Sequence, residues 1–229
     1  RSLVFDFIFS CEKEKFISAE HLDKLQSINS KKDIVIYVHG KGGSASEAEH
    51  YKQFFEEDIY GFDYKSENPW DAKIEFMDKF KELSEKYNRI TLVAGSIGAY
   101  FSMSSGIGEF VHKAYFVSPI VNLEKLILDM IEWAGTTEQE LEKKKIIPVD
   151  FGEDLSWDYL QYVRNNGICW KVPTDILYGS ADNLQSLDTM KEFCSKSPAT
   201  LTVMDGGEHW FHTKEQMEFL DEWIKKGNR

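Results

Sequence analysis

The sequence is poor in cysteine, and the few cysteines present are badly spaced for a disulfide or metal site. Of 229 residues only Cys11, Cys169 and Cys194 are cysteines, an odd number at wide and irregular intervals. Small domains that depend on disulfides contain many cysteines in an even number, and the common zinc sites contain a CxxC pair. We therefore expect incidental thiols in a reducing compartment and no bound metal.

Basic residues are also scarce compared with acidic ones. Lysine and arginine number 27 against 39 aspartates and glutamates, which gives a net charge of −12. A partner such as nucleic acid or an anionic membrane surface requires clustered positive charge, so neither is expected. No apolar run is long enough to cross a membrane. The expected location is cytoplasmic, although a chain that begins at Arg1 leaves open whether a leader was removed.

What the sequence does have is a regular alternation of short apolar runs and longer segments with helical periodicity. The run "DIVIYVHG" (33–40) is almost continuously apolar and β-branched, which is typical of a parallel strand covered on both faces. Further strands are predicted at 3–10, 59–65, 89–95, 113–119, 174–180 and 199–205, and helices at 44–57, 69–87, 96–106 and 214–226. This alternation predicts an α/β fold with a three-layer, mostly parallel sheet flanked by helices, in a single domain over residues 1–229.

One interval breaks the alternation. Residues 121–171 contain no good strand, only amphipathic helical pieces such as "NLEKLILDMIEWA" and "DLSWDYLQYVR". This interval is too long for a simple crossover between two strands of one sheet. We expect it to form a helical insertion over one end of the sheet.

A lone serine lies where a buried strand should end. In "LVAGSIGAYFSM" (92–103), Ser96 follows an apolar run and precedes a helix rich in small residues. A sharp strand–turn–helix elbow needs small side chains two residues before and after its nucleophile, and Ala94 and Gly98 meet that demand. Close packing of a helix on a strand uses the same residues, so Ser96 needs partners elsewhere in the chain.

Two downstream residues have the right order to be those partners. Asp182 follows the strand in "ILYGSADNLQS", and His209 follows the last strand in "TVMDGGEHWFH". A serine hydroxyl needs a base, and the base needs a carboxylate that fixes its tautomer, so the order Ser96, Asp182, His209 predicts a catalytic triad. Taken singly, Asp182 could cap the next helix, and His209 could be an ordinary loop histidine like His212.

A second glycine-rich turn follows the 33–40 strand. In "YVHGKGGSASE", His39 and Gly40 end the strand, and the glycines allow the backbone to turn over the nucleophile. We assign the oxyanion hole to the backbone N–H groups of Lys41 and Ile97, with the lysine side chain pointing to solvent. The phosphate-binding patterns GxxxxGK[ST] and GxGxxG are absent, which argues against nucleotide binding.

With these residues the chain resembles the α/β-hydrolase superfamily, especially its small bacterial serine hydrolases. The matching stretches "HGKGG", "AGSIGA", "YGSADN" and "GGEHWF" span about residues 33–225. The resemblance implies an eight-stranded sheet, or one strand fewer, and an acyl-enzyme mechanism without metal or organic cofactor. It also implies that residues 121–171 are a helical cap. Ala94 departs from the usual glycine of the elbow but still satisfies its steric demand.

The expected function is hydrolysis of a carboxylic ester of a small-molecule acyl substrate. Gly40, Trp70 and Trp210 are the candidates for substrate binding, with the two tryptophans as pocket walls beside a small or medium acyl or aryl group. A thioesterase or small peptidase would use the same triad, and a ligand-binding protein without turnover could use the same fold. The sequence does not distinguish these alternatives, nor does it indicate an oligomeric state.

Overall fold

The structure, a computed structural model, describes residues 18, 20, 22, 23 and 31–229. The chain divides into two units, Arg1–Lys32 and Asp33–Arg229. In the first unit the Leu22 N–H donates to the carbonyl of Ser18 at 3.0 Å. The strand predicted at 3–10 and Cys11 lie outside the described residues, and the single domain over 1–229 stays a prediction.

The second unit alternates strands with helices. Its strands are β1 Ile34–Val38, β2 Asp58–Gly61, β3 Ile90–Gly95, β4 Val111–Val117, β5 Ile146–Ile147, β6 Leu155–Ser156, β7 Thr174–Gly179 and β8 Ala199–Met204. Its α-helices are α1 Ala48–Tyr51, α2 Pro69–Lys86, α3 Ser96–Ser104, α4 Leu123–Trp133, α5 Glu138–Lys144, α6 Trp157–Asn165, α7 Leu187–Lys196 and α8 Lys214–Gly227. The helix predicted at 44–57 is three short turns, because α1 is flanked by the 3-10 turns Ala45–Glu47 and Lys52–Phe54.

Six of the strands form one parallel sheet in the order β2-β1-β3-β4-β7-β8. All five residues of β1 are buried, as its continuous apolar run predicts. Alternate residues face opposite layers: Ile36 packs in the core that contains Phe76 of α2, and Tyr37 packs in the core that contains Trp223 of α8. The predicted three-layer, mostly parallel α/β architecture is confirmed.

The topology predicts where a site should form. The chain leaves β1 toward β2 on one side and returns to β3 on the other, so the loops after β1 and β3 diverge over neighbouring strands. In open parallel sheets, ligands bind at the carboxyl ends of the strands at such a reversal of strand order. Gly40 follows β1 and Ser96 follows β3, so both lie at this point.

The segment between β4 and β7 contains helices α4, α5 and α6, as expected for residues 121–171. The expectation of no strand there is wrong in one detail. Strands β5 and β6 pair antiparallel, with Ile146 opposite Ser156 and Ile147 opposite Leu155. Two-residue strands are too short to produce the period-2 pattern from which strands are predicted.

Across the described residues, none of the helices combines the length and the apolar character that crossing a membrane requires.

Candidate active site

Ser96 occupies a strained backbone conformation at the junction of β3 and α3. Its φ is +47°, in the left-handed region that residues other than glycine seldom adopt. Strain of this kind costs of order 1–3 kcal/mol and is retained mainly where the surrounding structure enforces it at functional sites. The sharp turn places Ser96 at the start of helix α3, as expected for a nucleophile elbow.

The residues two before and two after Ser96 are small because the elbow leaves no room for larger ones. A Cβ on Gly98 would lie 2.2 Å from the carbonyl oxygen of His39, so helix α3 approaches the end of β1 closer than any side chain permits. Ala94, two residues before Ser96, is buried, with 1% of its surface exposed. Gly95 is different, since a Cβ there would lie 3.7 Å from the Val117 oxygen, an ordinary contact.

This difference predicts unequal losses of stability for two glycine-to-alanine substitutions. Gly98→Ala should lower the free energy of unfolding by about 3 kcal/mol, because the added methyl group forces backbone to move. Gly95→Ala, the matched control, should cost less than about 1 kcal/mol. Urea denaturation of both variants measures this, and equal losses would contradict the packing explanation.

Hydrogen bonds join the three residues predicted to form a triad. Ser96 Oγ lies 2.8 Å from His209 Nε2, and His209 Nδ1 lies 2.7 Å from Asp182 Oδ2. The Asp182 side chain is fully buried and the His209 side chain is 17% exposed. The imidazole can therefore accept the serine proton while its other nitrogen faces a carboxylate shielded from water.

Asp182 makes two kinds of contact, one with each oxygen. Its Oδ1 accepts hydrogen bonds from the backbone N–H groups of Leu184 at 2.7 Å and Gln185 at 3.1 Å. Its Oδ2 is left to face His209. The alternative interpretation as a helix cap fails, because the N-cap of α7 is Ser186. The two amide bonds fix the turn and hold the carboxylate in one orientation.

Two glycines that the sequence analysis did not single out bring the loops of Asp182 and His209 together. A Cβ on Gly179, at the end of β7, would lie 2.1 Å from the carbonyl oxygen of Gly207, which follows β8. The Ala181 N–H donates to the same carbonyl at 2.8 Å. Only glycine at 179 allows the two backbones to lie this close. Gly179 precedes Asp182 by three residues, and Gly207 precedes His209 by two.

The predicted oxyanion turn lies directly beside Ser96. A Cβ on Gly40 would be 3.1 Å from the Ser96 Cβ, and the Gly43 N–H closes the turn onto the Gly40 carbonyl at 3.2 Å. Within residues 31–229, the N–H groups of Lys41 and Ile97 donate to no other group. Both residues line a cavity that also contains Ser96. Their amides are available to a ligand oxygen.

The Lys41 side chain does not simply point to solvent. Its Nζ lies 2.8 Å from Glu153 Oε1, and the two side chains are 54% and 47% exposed. Glu153 belongs to the segment between β4 and β7. An ion pair this exposed contributes at most about 1 kcal/mol, so it links that segment to the turn only weakly.

The turn also rests on an aromatic pair that the sequence analysis missed. The ring of His39 stacks on that of Tyr64 with centroids 4.4 Å apart, and its Nδ1 is 2.8 Å from the Gly40 oxygen. The Tyr64 hydroxyl donates to the His39 carbonyl at 2.9 Å. Burial raises the pKa of Tyr64 well above its ordinary value, so the hydroxyl stays protonated and remains a donor.

Two cavities reach Ser96. The first cavity, of about 400 Å³, lies beneath α4 and the loop before β6, and includes Ile97 and the apolar residues Leu123, Leu126, Ile127 and Met130. The second cavity, of about 750 Å³, lies on the His209 side. It contains the predicted residues Gly40 and Trp210.

The two predicted pocket tryptophans lie in different places. Trp210 lines the second cavity, is 73% exposed, and stacks on His212 with centroids 4.3 Å apart. The other, Trp70, lies in α2 with its ring against Tyr159 and Tyr162 of α6. Trp70 is not among the residues that line either cavity at Ser96.

Comparison with known proteins adds structural relatives but no sequence relatives. Neither a family model nor a curated protein matches the sequence. Est1E from Butyrivibrio proteoclasticus superposes with a TM-score of 0.65 at 15% identity over 86% of this chain and 87% of that one. Mouse alpha/beta hydrolase domain-containing protein 10 gives 0.68 at 13% identity over 84% and 88%. An esterase from Pyrococcus furiosus gives 0.56 at 21% identity over 87% and 81%. The chain has the α/β-hydrolase fold.

Proposed function

We propose that the chain is a serine hydrolase that cleaves carboxylic esters through Ser96, His209 and Asp182. The observation that carries this proposal is the hydrogen-bonded line Ser96–His209–Asp182, which ends on a serine with a strained positive φ. A buried carboxylate, an imidazole and a hydroxyl in that sequence form an activated nucleophile. The Pyrococcus furiosus protein with a similar fold is an esterase, which agrees with the proposal.

The reaction proceeds in two halves. Ser96 Oγ bonds to the ester carbonyl carbon as His209 Nε2 takes the serine proton, and the Lys41 and Ile97 amides hold the resulting oxyanion. The carbon–oxygen bond to the alcohol then breaks, and the imidazolium donates its proton to the departing oxygen. Water then attacks the acyl carbon as His209 takes its proton; the bond from that carbon to Ser96 Oγ breaks, and the imidazolium returns the proton to Oγ, which releases the acid and free Ser96.

Residues 121–171 serve in this proposal as a cap that shapes the acyl site. The first cavity is bounded on one side by Ser96 and Ile97 and on the other by apolar side chains of α4. The lining is mostly apolar, with Lys41, Glu153 and Asp154 as its charged residues, and a cavity of this size accommodates a small or medium acyl or aryl group. No charged group of the triad needs to enter it.

Filling the first cavity should therefore change acyl preference and leave the chemistry intact. Met130→Trp should lower kcat/KM for octanoate esters at least roughly tenfold, and for acetate esters less than about twofold. The matched control is Leu128→Trp on the exposed face of the same helix, which should behave as wild type. A p-nitrophenyl ester series measures this, and a uniform loss across acyl lengths would contradict the assignment.

The proposal is tested by hydrolysis of p-nitrophenyl acetate, butyrate and hexanoate beside a thioester and an anilide of the same acids. We expect saturable ester hydrolysis with an initial burst of p-nitrophenol, since an acyl-enzyme accumulates when deacylation is slow. If none of these acyl compounds is cleaved above the background rate, the proposed function is wrong.

A further inference from the structure

The two cavities at Ser96 differ in which catalytic group they contain. The first cavity includes Ile97, one of the proposed oxyanion donors, and does not include His209. The second cavity includes His209. In ester cleavage the imidazolium protonates the departing alcohol oxygen, so the alcohol must lie on the histidine side. The second cavity is therefore the one beside the leaving group.

A carboxylate forms part of the wall of the second cavity. Glu47, in the turn before α1, is exposed and lines this cavity. Its Oε2 accepts from the Tyr37 hydroxyl at 2.5 Å, and its Oε1 accepts from the Ser44 N–H at 3.0 Å. A carboxylate has about four acceptor positions, so these two bonds hold Glu47 in place and leave capacity for a ligand.

One carboxylate and one lysine, Glu47 and Lys41, line this cavity, and further carboxylates lie behind its wall residues. His50, another wall residue, lies 2.8 Å from Asp221, and the His212 ring lies 3.7 Å from Glu208. Lys41 is the single lysine or arginine among the described residues of the wall. Its Nζ is already paired with a carboxylate at 2.8 Å. The net charge of −12 adds a negative potential at long range.

Aromatic side chains form another part of this wall. The rings of Tyr37 and Tyr51 stack with centroids 5.2 Å apart and are buried, so the exposed aromatic surface is the indole of Trp210. Aromatic faces attract cations through the ring quadrupole, most strongly for tryptophan. A carboxylate beside aromatic rings is a site for an ammonium group and a poor site for a carboxylate or phosphate.

We propose that the second cavity binds a positively charged leaving group, so that the preferred substrates are esters of an apolar acid with an alkylammonium alcohol, and that Glu47 determines this preference. The inference rests on the proposed function, because it takes the ester to be cleaved at Ser96. It adds the charge of the alcohol, which the triad does not specify.

Two hexanoate esters of nearly identical shape test the charge preference. The choline ester carries a trimethylammonium group, and the 3,3-dimethylbutyl ester replaces that nitrogen by carbon. We expect kcat/KM to be about tenfold higher for the choline ester, the combined effect of one nearby carboxylate and one aromatic contact. Glu47→Gln should reduce the ratio to about two.

A matched variant separates the local effect of Glu47 from a change in overall charge. Glu49 is on the same helical stretch, is 79% exposed and pairs with Lys52. Glu49→Gln removes the same charge outside the cavity and should preserve the tenfold ratio. A wild-type ratio near one, or a ratio that Glu47→Gln leaves unchanged, would overturn the inference while leaving ester hydrolysis intact.

A binding measurement on the Ser96→Ala protein keeps the two proposals distinguishable. Calorimetry with choline and with 3,3-dimethylbutan-1-ol should show about tenfold tighter binding of choline, lost in the variant that also carries Glu47→Gln. This selective binding with no hydrolysis of either ester by wild type would support the cation site and refute the esterase. Equal binding of the two alcohols would overturn the cation site.

Discussion

Replacing Ser96 by alanine is expected to lower kcat for ester hydrolysis by roughly 10⁶-fold, the loss typical of a serine hydrolase deprived of its nucleophile. The expected loss is this large because within the proposed site only the Ser96 hydroxyl meets His209, at 2.8 Å. The residual rate reflects the oxyanion donors and binding, which the substitution leaves in place. Steady-state hydrolysis of p-nitrophenyl butyrate measures the effect.

The same variant should fold as wild type does. Alanine tolerates a φ of +47° about as poorly as serine, so the strain is unchanged, and the free energy of unfolding should shift by less than about 1 kcal/mol. A rate near wild type would remove Ser96 from the mechanism. Loss of activity together with a loss of several kcal/mol would indicate a structural role instead.

His209→Gln is expected to lower kcat by roughly 10⁵-fold, because glutamine cannot take the Ser96 proton or return it to the alcohol. Glutamine also leaves the buried Asp182 carboxylate, which Leu184 and Gln185 still hold, without its imidazole partner. Single-turnover measurements with an activated ester should show the loss in acylation and in deacylation alike.

The control for this prediction is His212→Gln. His212 lies three residues away, but its Nδ1 is 2.7 Å from the Trp210 carbonyl and its ring stacks on the Trp210 indole. Its replacement should change kcat less than about threefold. If His212→Gln causes the larger loss, or if His209→Gln loses less than about a hundredfold, the general base has been assigned to the wrong histidine.

The parts of the fold that depend on local pattern could be predicted from the sequence. Strand β1 was predicted from a continuous apolar run, and the structure buries all five of its residues. Small neighbours predict a sharp turn at Ser96, and Gly98 is small because the His39 carbonyl lies where its Cβ would be. In both cases the residue pattern of one short segment carries the prediction, although the carbonyl that Gly98 accommodates belongs to His39, in another segment.

The parts that depend on contacts between distant segments could not be predicted. The sequence around Gly179 does not indicate that its backbone contacts Gly207, because this contact forms only when β7 and β8 lie side by side. The stacking of His39 on Tyr64 and the approach of Glu153 to Lys41 likewise join segments far apart in sequence.

The cavity walls are the least predictable part of the candidate site. Trp70 follows a strand end, as a pocket residue would, yet helix α2 turns its ring toward Tyr159. Glu47 appears in the sequence as an ordinary acidic residue at the start of a helix. Its position in the wall beside His209 follows from the packing of α1 against the sheet.

The measurement that tests the central claim most directly is the intact mass of the protein after treatment with a fluorophosphonate, beside the Ser96→Ala variant. Such reagents react preferentially with a serine activated by a neighbouring base. We predict one adduct on the wild-type chain and none on the variant. An unmodified wild type, or an adduct that persists on Ser96→Ala, would contradict the assignment of Ser96 as an activated nucleophile.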